Sequence, residues 1–418
     1  MSSAIKFFTN TNNNMPQLQN AYGSMINVLD ACLVNGITIG AINSLTASGT
    51  TVTAVFSAAH NLMKHQVITL TGADQAEYNI ESRVLSVPNA TTITFQLNVA
   101  PSVSPATGAI SAKLSALDWE KPFSSINGSG GGKAAYRSSN TLLASRPYLR
   151  VVDELDPAYT ATYAKYAKVG IVEDMTDINT MLGVQAPYNS STPNQNWVGT
   201  GSGTSAVNGW SKWYYAGQSE NYFPESSAVP AGNRNWILVG NGDYFYVFVS
   251  LIASNTNLIP YGFGSFKTLL NADTSNTFLS STLTTAAQTA ATGVFHADSV
   301  PLGTNSTTTK LTVLRNYAQT AQYVQATMVS MTVNITTMYS GYQNYIGAYN
   351  LANVAPFVPI FVNETVLRGE MNGFYWLYQN RPYTHLQIIE RENVAYMAIN
   401  IAMSTSNPGQ VVVKIGDI

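Results

Sequence analysis

Two short groups of acidic residues are the strongest candidates for acid and base chemistry in this sequence. A pair of carboxylates can hydrolyse a glycosidic bond when the carboxyl groups lie about 5 to 9 Å apart, a separation that sequence spacing does not fix. The second group also departs from the alternating oxygen ligands and central glycine of a calcium loop. We therefore interpret both groups as capped or solvated turns and predict no catalytic residue among them. The groups are Asp153, Glu154 and Asp156, and Glu173, Asp174 and Asp177.

A glycine-rich segment that runs into a lysine, INGSGGGKAAYRSS at residues 126–139, invites comparison with a phosphate-binding loop. Such a loop needs two glycines separated by four residues, followed by lysine and a hydroxyl residue. Counting back from Lys133, the first glycine position holds Asn127, and the hydroxyl position holds Ala134. Both requirements fail, so we predict a turning surface loop, for which glycine and serine are suited. No nucleotide or other cofactor is expected.

The histidines and the single cysteine do not form a metal-binding pattern. His60 and His65 are the only close pair of histidines, whereas zinc usually takes at least three protein ligands at geometric spacing. His385 is predicted to lie in a strand over residues 385–390 with a structural role. Cys32 is the only cysteine, which excludes an intrachain disulfide. It lies in an apolar run and is predicted to be a small buried hydrophobe. We predict no metal site.

An aromatic cluster is the most unusual local feature of the sequence. Aromatic side chains with few charges nearby suit protein interfaces, carbohydrate stacking or the packing of a loop onto a β core. We favour an interface or core packing over sugar binding and name the cluster as a candidate subunit interface. It consists of Trp210, Trp213, Tyr214, Tyr215, Tyr222 and Phe223.

The overall composition limits the partners of the chain. Of its 418 residues, 45% are hydrophobic and only 10% are charged, with a formal net charge of -2. Soluble domains usually carry about 25% charged residues. The near-neutral balance predicts no electrostatic attraction to nucleic acid or to an anionic membrane. Because the first residues lack a secretory pattern and the longest strongly apolar run covers only 244–253, we expect synthesis and retention in a cytoplasm.

The periodicity of apolar residues predicts the elements that position these groups. Residues 17–33 carry apolar side chains at helical spacing and predict one amphipathic helix that ends near Asn35 and Gly36. From residue 38 the period changes to two, with turn signals at short regular intervals, which is typical of a small antiparallel barrel or sandwich. Two apolar runs at 236–240 and 244–252 flank Asn241-Gly242, the strongest short-range hairpin signal.

We therefore predict a mainly β fold in which a small antiparallel barrel or sandwich module is inserted after an N-terminal helix. Larger antiparallel, sandwich-like domains with long loops follow. Stretches 187–235 and 271–310 are rich in Ser, Thr, Asn and Gly and are predicted to be loops ordered by their neighbours. The predicted divisions are residues 1–37 (arm and helix), 38–115 (small β module), 116–310 (central β domain) and 311–418 (C-terminal β domain).

Several stretches, taken in order along nearly the whole chain, resemble a family of tailed-bacteriophage and prophage virion proteins. The resemblance implies a structural component of the virion without established catalytic residues. The chain departs from the family pattern in the Ser/Thr/Asn-rich stretch 271–350, where subunit contacts could differ. The stretches that carry the resemblance are KFFTN, MINVLDACLVNG, SLTASGTTVTAVFSAAHNL, RVLSVPNATTITF, LDWEKPFSS, AAYRS, YLRVVD, VEDMTDINT, RNWILVGNGDYFYVFV, YGFGSF and VLRGEMNGFYWLYQNRP.

This resemblance implies that the protein is a non-enzymatic component of the virion. We expect it to be made in the host cytoplasm. The location that we favour is the tail or tail hub, where the chain would assemble with itself as a ring or trimer and with other virion proteins. A head decoration or cement protein is the alternative within the virion. A second class of function is a host-glycan-binding adhesin or glycan-degrading tail protein, for which a host surface glycan would be the partner.

Overall fold

The structure is a computed structural model that describes residues 4–202, 206, 208–218, 227–253, 255–271, 273–283, 302, 312–316, 318, 323–330, 355–377, 381–402 and 408–418. Within these residues the protein is mainly β, with several antiparallel sheets, one of which curls into a half-barrel, and one short helix. The predicted fold class is therefore confirmed.

The amino-terminal part of the chain contributes one strand, the helical segment and a first seven-stranded sheet. Its elements are β1 (Lys6–Thr9), α1 (Ser24–Leu29), a π-helical turn (Asp30–Asn35), β2 (Ile37–Ser48), β3 (Thr51–Phe56), β4 (Val67–Ala73), a 3-10 turn (Ala76–Tyr78), β5 (Glu81–Arg83), β6 (Ser86–Asn89), β7 (Thr92–Gln96) and β8 (Gly108–Leu114). The strand order in this sheet is β5-β4-β8-β2-β3-β7-β6.

The remaining strands form a second seven-stranded sheet and a thirteen-stranded sheet. They are β9 (Trp119–Ile126), β10 (Gly131–Ser138), β11 (Tyr148–Glu154), β12 (Lys165–Met175), β13 (Met181–Ala186), β14 (Ser211–Ala216), β15 (Trp236–Gly240), β16 (Tyr244–Val249), β17 (Ile259–Ser265), β18 (Lys267–Thr268), β19 (Thr277–Ser280), β20 (Thr282–Leu283), β21 (Thr312–Arg315), β22 (Tyr323–Ser330), β23 (Phe357–Asn363), β24 (Leu367–Leu377), β25 (Ile388–Arg391), β26 (Val394–Ala402) and β27 (Pro408–Asp417).

Each of the two later sheets pairs strands that lie far apart in the sequence. The second sheet has the order β20-β14-β12-β11-β10-β9, with β13 paired to β12. The large sheet runs β1-β15-β16-β17-β19-β21-β22-β23-β24-β27-β26-β25, with β18 paired to β24. The amino-terminal strand thus pairs with β15, and the sheet continues across the predicted division at residue 310.

Most of the strands indicated by the sequence pattern are present. The Asn241-Gly242 hairpin is confirmed, because β15 pairs antiparallel with β16 in the register Gly240↔Phe245. The alternation in β3 is also confirmed: Val52, Ala54 and Phe56 are buried, whereas Thr51, Thr53 and Val55 are partly or fully exposed. One face of that sheet therefore packs the core and the other meets solvent, as a half-buried antiparallel sheet requires.

The helix begins later than the spacing predicted. Residues 17–23 are not helical, and Leu18 instead forms an isolated bridge with Arg234. Gly23 adopts a φ of 88°, a left-handed conformation that interrupts a right-handed helix, so α1 starts at Ser24. The helical segment ends at Asn35 before Gly36, as predicted, but its second half is π-helical.

Two further predictions need correction. The stretches predicted as long loops contain strands: β14 lies in the first, and β19 and β20 lie in the second. All six residues of β14 are buried, so its aromatic side chains outweigh the polar composition around it. His385 does not lie in a strand, because Leu386 beside it has a φ of 65° and the strand begins only at Ile388.

The small module is predicted to fold by itself when residues 38–115 are expressed alone. Its first and last strands are adjacent, with Ile37 opposite Leu114, so the ends of the insertion lie close together. Its strands also bury their own apolar faces, including Leu45, Val52 and Phe95. We expect a dispersed amide NMR spectrum from this fragment. The spectrum of an unfolded chain would contradict the prediction and show that the module depends on contacts with the rest of the protein.

Candidate functional site: the acidic groups and the elements around them

Asp153 is the centre of a buried polar cluster that fastens the helix to the second sheet. Its side chain is fully buried at the end of β11. One carboxylate oxygen accepts the Tyr215 hydroxyl at 2.7 Å, and the other accepts the backbone N–H groups of Met25 and Ile26 at 3.0 and 3.2 Å. These N–H groups belong to the first turn of α1, where backbone donors lack partners within the helix. The carboxylate therefore satisfies donors that burial would otherwise leave unpaired.

Burial raises the pKa of Asp153 to about 6, although the hydrogen bonds from Tyr215 and the helix oppose this shift. An unfolded aspartate titrates near 3.9, so the folded chain binds the extra proton between about pH 4 and 6. The contribution of this group to the free energy of unfolding is therefore largest below pH 4. It falls as the pH rises through the folded pKa.

Asp153→Asn should remove this pH dependence while keeping oxygen and nitrogen atoms that can meet the same partners. We expect the stability of the wild type relative to the variant to fall by about 2 kcal/mol between pH 4 and pH 7. Chemical denaturation of both proteins across this range measures the difference, in which the titrations of other groups cancel. A constant difference would show that Asp153 titrates in the folded chain as it does in the unfolded one.

Asp156 and Lys168 form a buried ion pair that holds the segment after β13. The Lys168 ammonium lies 2.6 Å from a carboxylate oxygen of Asp156, and both side chains are almost fully buried. The same lysine donates to the carbonyl of Trp197 at 2.7 Å, and the backbone N–H of Gly199 donates to Asp156 at 3.0 Å. Burial lowers the pKa of Lys168, and the nearby Asp156 carboxylate opposes that shift. The pair fastens residues 197–199 against β12.

The other candidate carboxylates are engaged separately. Glu154 accepts a hydrogen bond from Asn127 at 3.2 Å, and Glu173 pairs with Arg315 on β21, which links the second sheet to the large one. Asp177 accepts the backbone N–H groups of Asn179 and Thr180 and so caps a turn. The remaining member, Asp174, is exposed. These contacts match the interpretation of capped or solvated turns for Asp177, whereas Asp153 and Asp156 are buried, which their spacing did not reveal.

The glycine-rich segment is the turn of the hairpin between β9 and β10. Asn127 closes this turn through a backbone N–H bond to the carbonyl of Gly131 at 2.9 Å. Gly131 has a φ of 78°, and a Cβ there would lie 2.0 Å from the carbonyl oxygen of Asp153. A glycine at this position therefore lets the hairpin approach β11. Lys133 donates to the Asn179 side chain at 2.9 Å, so it is engaged within the chain.

The histidines occupy separate environments. The His60 Nδ1 atom accepts the backbone N–H of Leu62 at 2.9 Å, whereas the His65 Nε2 atom lies 2.7 Å from Glu390. The His385 Nδ1 atom accepts the backbone N–H of Asn400 at 3.1 Å. Burial lowers the pKa of His385 to about 4, so this ring is neutral at pH 7. In the described residues no group of three or more histidine, cysteine or acidic side chains could hold a metal ion.

The described part of the aromatic cluster lies inside the chain. Trp210, Trp213, Tyr214 and Tyr215 expose 5%, 0%, 2% and 0% of their surfaces. Because these side chains are covered by the chain itself, they pack its core in this structure, and an interface role for them stays a prediction. Tyr222 and Phe223 lie outside the described residues.

The sequence pattern did not indicate two other polar clusters. Asp30 accepts the Tyr136 hydroxyl and the Lys121 ammonium, each at 2.7 Å, and so joins the helical segment to β9 and β10. Arg368 lies in a second cluster within the large sheet, beside the carboxylate of Asp273 at 2.7 Å. The partners of Asp30 are 91 and 106 residues away, and Asp273 is 95 residues from Arg368, so local spacing could not indicate these contacts.

No protein-family model matches the sequence, and no curated protein matches it. Within the described residues, no helix is long and apolar enough to span a membrane.

Proposed function

We propose that this protein is a structural component of a bacteriophage virion that acts through symmetric assembly in the tail or tail hub. The sequence resemblance supports this proposal, because it runs in order along nearly the whole chain. Several of the resembling stretches form paired strands: β1, β9, β10, β11, β15, β16 and β24. The resemblance therefore includes strands from both of the later sheets.

The contacts of the acidic residues support a structural role over a catalytic one. Two buried carboxylates and one partly buried carboxylate of the acidic groups bind the chain's own backbone and side chains. Asp153 fastens the helix, Asp156 fastens residues 197–199, and Glu173 joins two sheets. Acid–base catalysis needs a carboxyl group within reach of a bound substrate. In this arrangement the carboxylates hold segments of the subunit together and make it rigid. A subunit that repeats in a symmetric assembly requires such rigidity.

Locating the chain in intact particles tests the proposal. We expect labelled antibodies against the protein to mark one end of the particle in electron micrographs, at the tail. Labelling spread over the head lattice would replace the tail assignment with the decoration role. Particles that carry no label, prepared beside a known tail protein that does label, would contradict a virion role altogether.

A catalytic role has its own test, which uses the purified protein and host surface polysaccharide. The proposal predicts that the polysaccharide keeps its chain length on incubation. Reproducible chain shortening that is lost in Glu173→Gln or Asp174→Asn would overturn the structural role in favour of a glycan-degrading tail protein. Glu120→Gln is a matched control, because Glu120 is an acidic residue on a different strand, where it pairs with Arg137.

A further inference from the structure

A wide groove runs beside the helical segment at residues 24–35. Its volume is about 340 Å³, which falls within the range of about 300 to 1,000 Å³ found for small-molecule sites. One wall comes from the amino-terminal arm and the other from the helical segment and the start of β2. The lining residues are Pro16, Asn27, Asp30, Ala31, Asn35 and Ile37.

The change from α-helix to π-helix aligns the polar residues of this groove. Asn27 and Asp30 are three residues apart, a spacing that shares one face of an α-helix. Asp30 and Asn35 are five residues apart, and the π-helical turn over these residues bonds each residue to the one five positions along. The three side chains therefore line one side of the helical segment. Single π-helical turns occur frequently at functional sites.

The two asparagines are free to bind a ligand. Asn27 and Asn35 are exposed, and neither carboxamide makes a hydrogen bond to any other residue that the structure describes. Asp30 between them differs, because its two oxygens already accept the Tyr136 hydroxyl and the Lys121 ammonium. The negative charge of Asp30 is thus balanced within the chain. The groove therefore offers a ligand the hydrogen-bond donors and acceptors of two neutral carboxamides.

This set fits a ligand rich in hydroxyl groups. Each carboxamide offers two N–H donors and an oxygen with two acceptor sites, whereas each hydroxyl of a ligand can both donate and accept. The Asp30 carboxylate disfavours an anion in the groove, and the bound Lys121 ammonium offsets its attraction for a cation. Pro16 and Ile37 add apolar surface against which the C–H face of a sugar ring can pack. We propose that the groove binds a neutral saccharide.

The groove is distinct from the aromatic cluster, which the sequence offered as the place for sugar stacking. Trp213 and Tyr215 are fully buried and present no face to a ligand, whereas the groove is open to solvent. The saccharide site is also independent of the virion role, since a protein outside the virion could carry it equally well. Its failure would leave the proposed function standing.

Titrating the full-length protein with three neutral disaccharides tests the proposal. The probes are maltose, cellobiose and N,N′-diacetylchitobiose at millimolar concentrations, observed by NMR with selective ¹⁵N labelling of asparagine. We expect saturable shifts in the side-chain amide signals of Asn27 and Asn35 with at least one probe. Asn27→Ala and Asn35→Ala should each weaken that binding roughly tenfold, the effect of losing about 1.4 kcal/mol of hydrogen bonding.

Asn98→Ala is the matched control, because Asn98 is an exposed asparagine in a loop of the small module, away from the groove lining. The Asn98→Ala variant should bind the disaccharide as tightly as the wild type does. Since all three positions are exposed, unchanged NMR spectra elsewhere in each variant will show that the fold is intact. The proposal is overturned if none of the three disaccharides shifts these signals, if binding survives both groove substitutions, or if a neutral peptide shifts the signals and the sugars do not.

Discussion

Arg368→Ala should destabilise the protein by about 3 to 5 kcal/mol, the usual cost of breaking a buried ion pair by removing one partner. The side chain of Arg368 is fully buried, as is that of Asp273, and Glu364 exposes only 6% of its side chain. The guanidinium lies 2.7 Å from Asp273 and 2.8 Å from Glu364, and it also donates to the carbonyl of Arg315 at 2.6 Å. Without the arginine, two buried carboxylates would lose the cation that balances them.

The free energy of unfolding from denaturant titration measures this effect. Lys267→Ala is the matched control, because Lys267 pairs with Glu370 in the neighbouring part of the same sheet but exposes 67% of its side chain. A surface pair of this kind contributes less than about 1 kcal/mol. Adding Asp273→Asn to Arg368→Ala should restore part of the lost stability by removing one uncompensated charge. Equal effects of the arginine and lysine substitutions would show that the Arg368 cluster is solvated.

Trp213→Ala should also cost about 3 to 5 kcal/mol, the range for deleting a large aromatic side chain from a core. Trp213 is fully buried and stacks on Tyr261 with ring centroids 5.8 Å apart. Its indole N–H donates to the carbonyl of Ser280 at 2.9 Å. The substitution would leave a cavity between β14 and the large sheet and remove the indole hydrogen bond to Ser280. We expect the loss in the monomer itself, before any assembly step.

Two substitutions separate this packing effect from an interface effect. Trp213→Phe keeps most of the ring but loses the bond to Ser280, so it should cost less than the alanine variant. Leu142→Ala is the control for a large side chain on the surface, since Leu142 is 82% exposed and should change stability by less than about 0.5 kcal/mol. The contrary result is that Trp213→Ala leaves monomer stability unchanged but prevents oligomer formation. The aromatic cluster would then be a subunit interface and would not pack the core of the monomer.

The strands were predictable wherever one face of a sheet meets solvent, because alternation then reports burial directly. β3 is an example, predicted from its period of two. The β15–β16 hairpin, whose strands are buried on both faces, was predictable from the Asn241-Gly242 turn between two apolar runs. The helix start was not predictable from spacing, since Leu18 has the right periodicity but is held in a bridge to Arg234. The polar composition around β14 led to the prediction of a loop, although all six residues of this strand are buried. Because both faces of the strand are covered, it shows no alternation that would have indicated a strand.

The polar clusters could not be derived from local pattern, because their members come together only through the sheet topology. Asp153 meets Met25 across 128 positions, and Arg368 meets Asp273 across 95. Acidic groups in sequence suggested chemistry at Asp153 and Asp156, yet the fold separates the two into different networks. The π-helical geometry brings Asn35 into line with Asp30, five positions earlier, a change that no periodicity argument anticipates.

The proposed role of this chain as a structural component of a virion can be tested by counting its copies in purified particles. Quantitative mass spectrometry of particles banded in a density gradient and washed at high salt gives the number of copies for each particle. A structural role in the virion predicts a fixed copy number that fits the symmetry of a ring or trimer and does not fall with repeated washing. A chain that is absent from banded particles, or that is removed by the washes while other tail proteins remain, would contradict it.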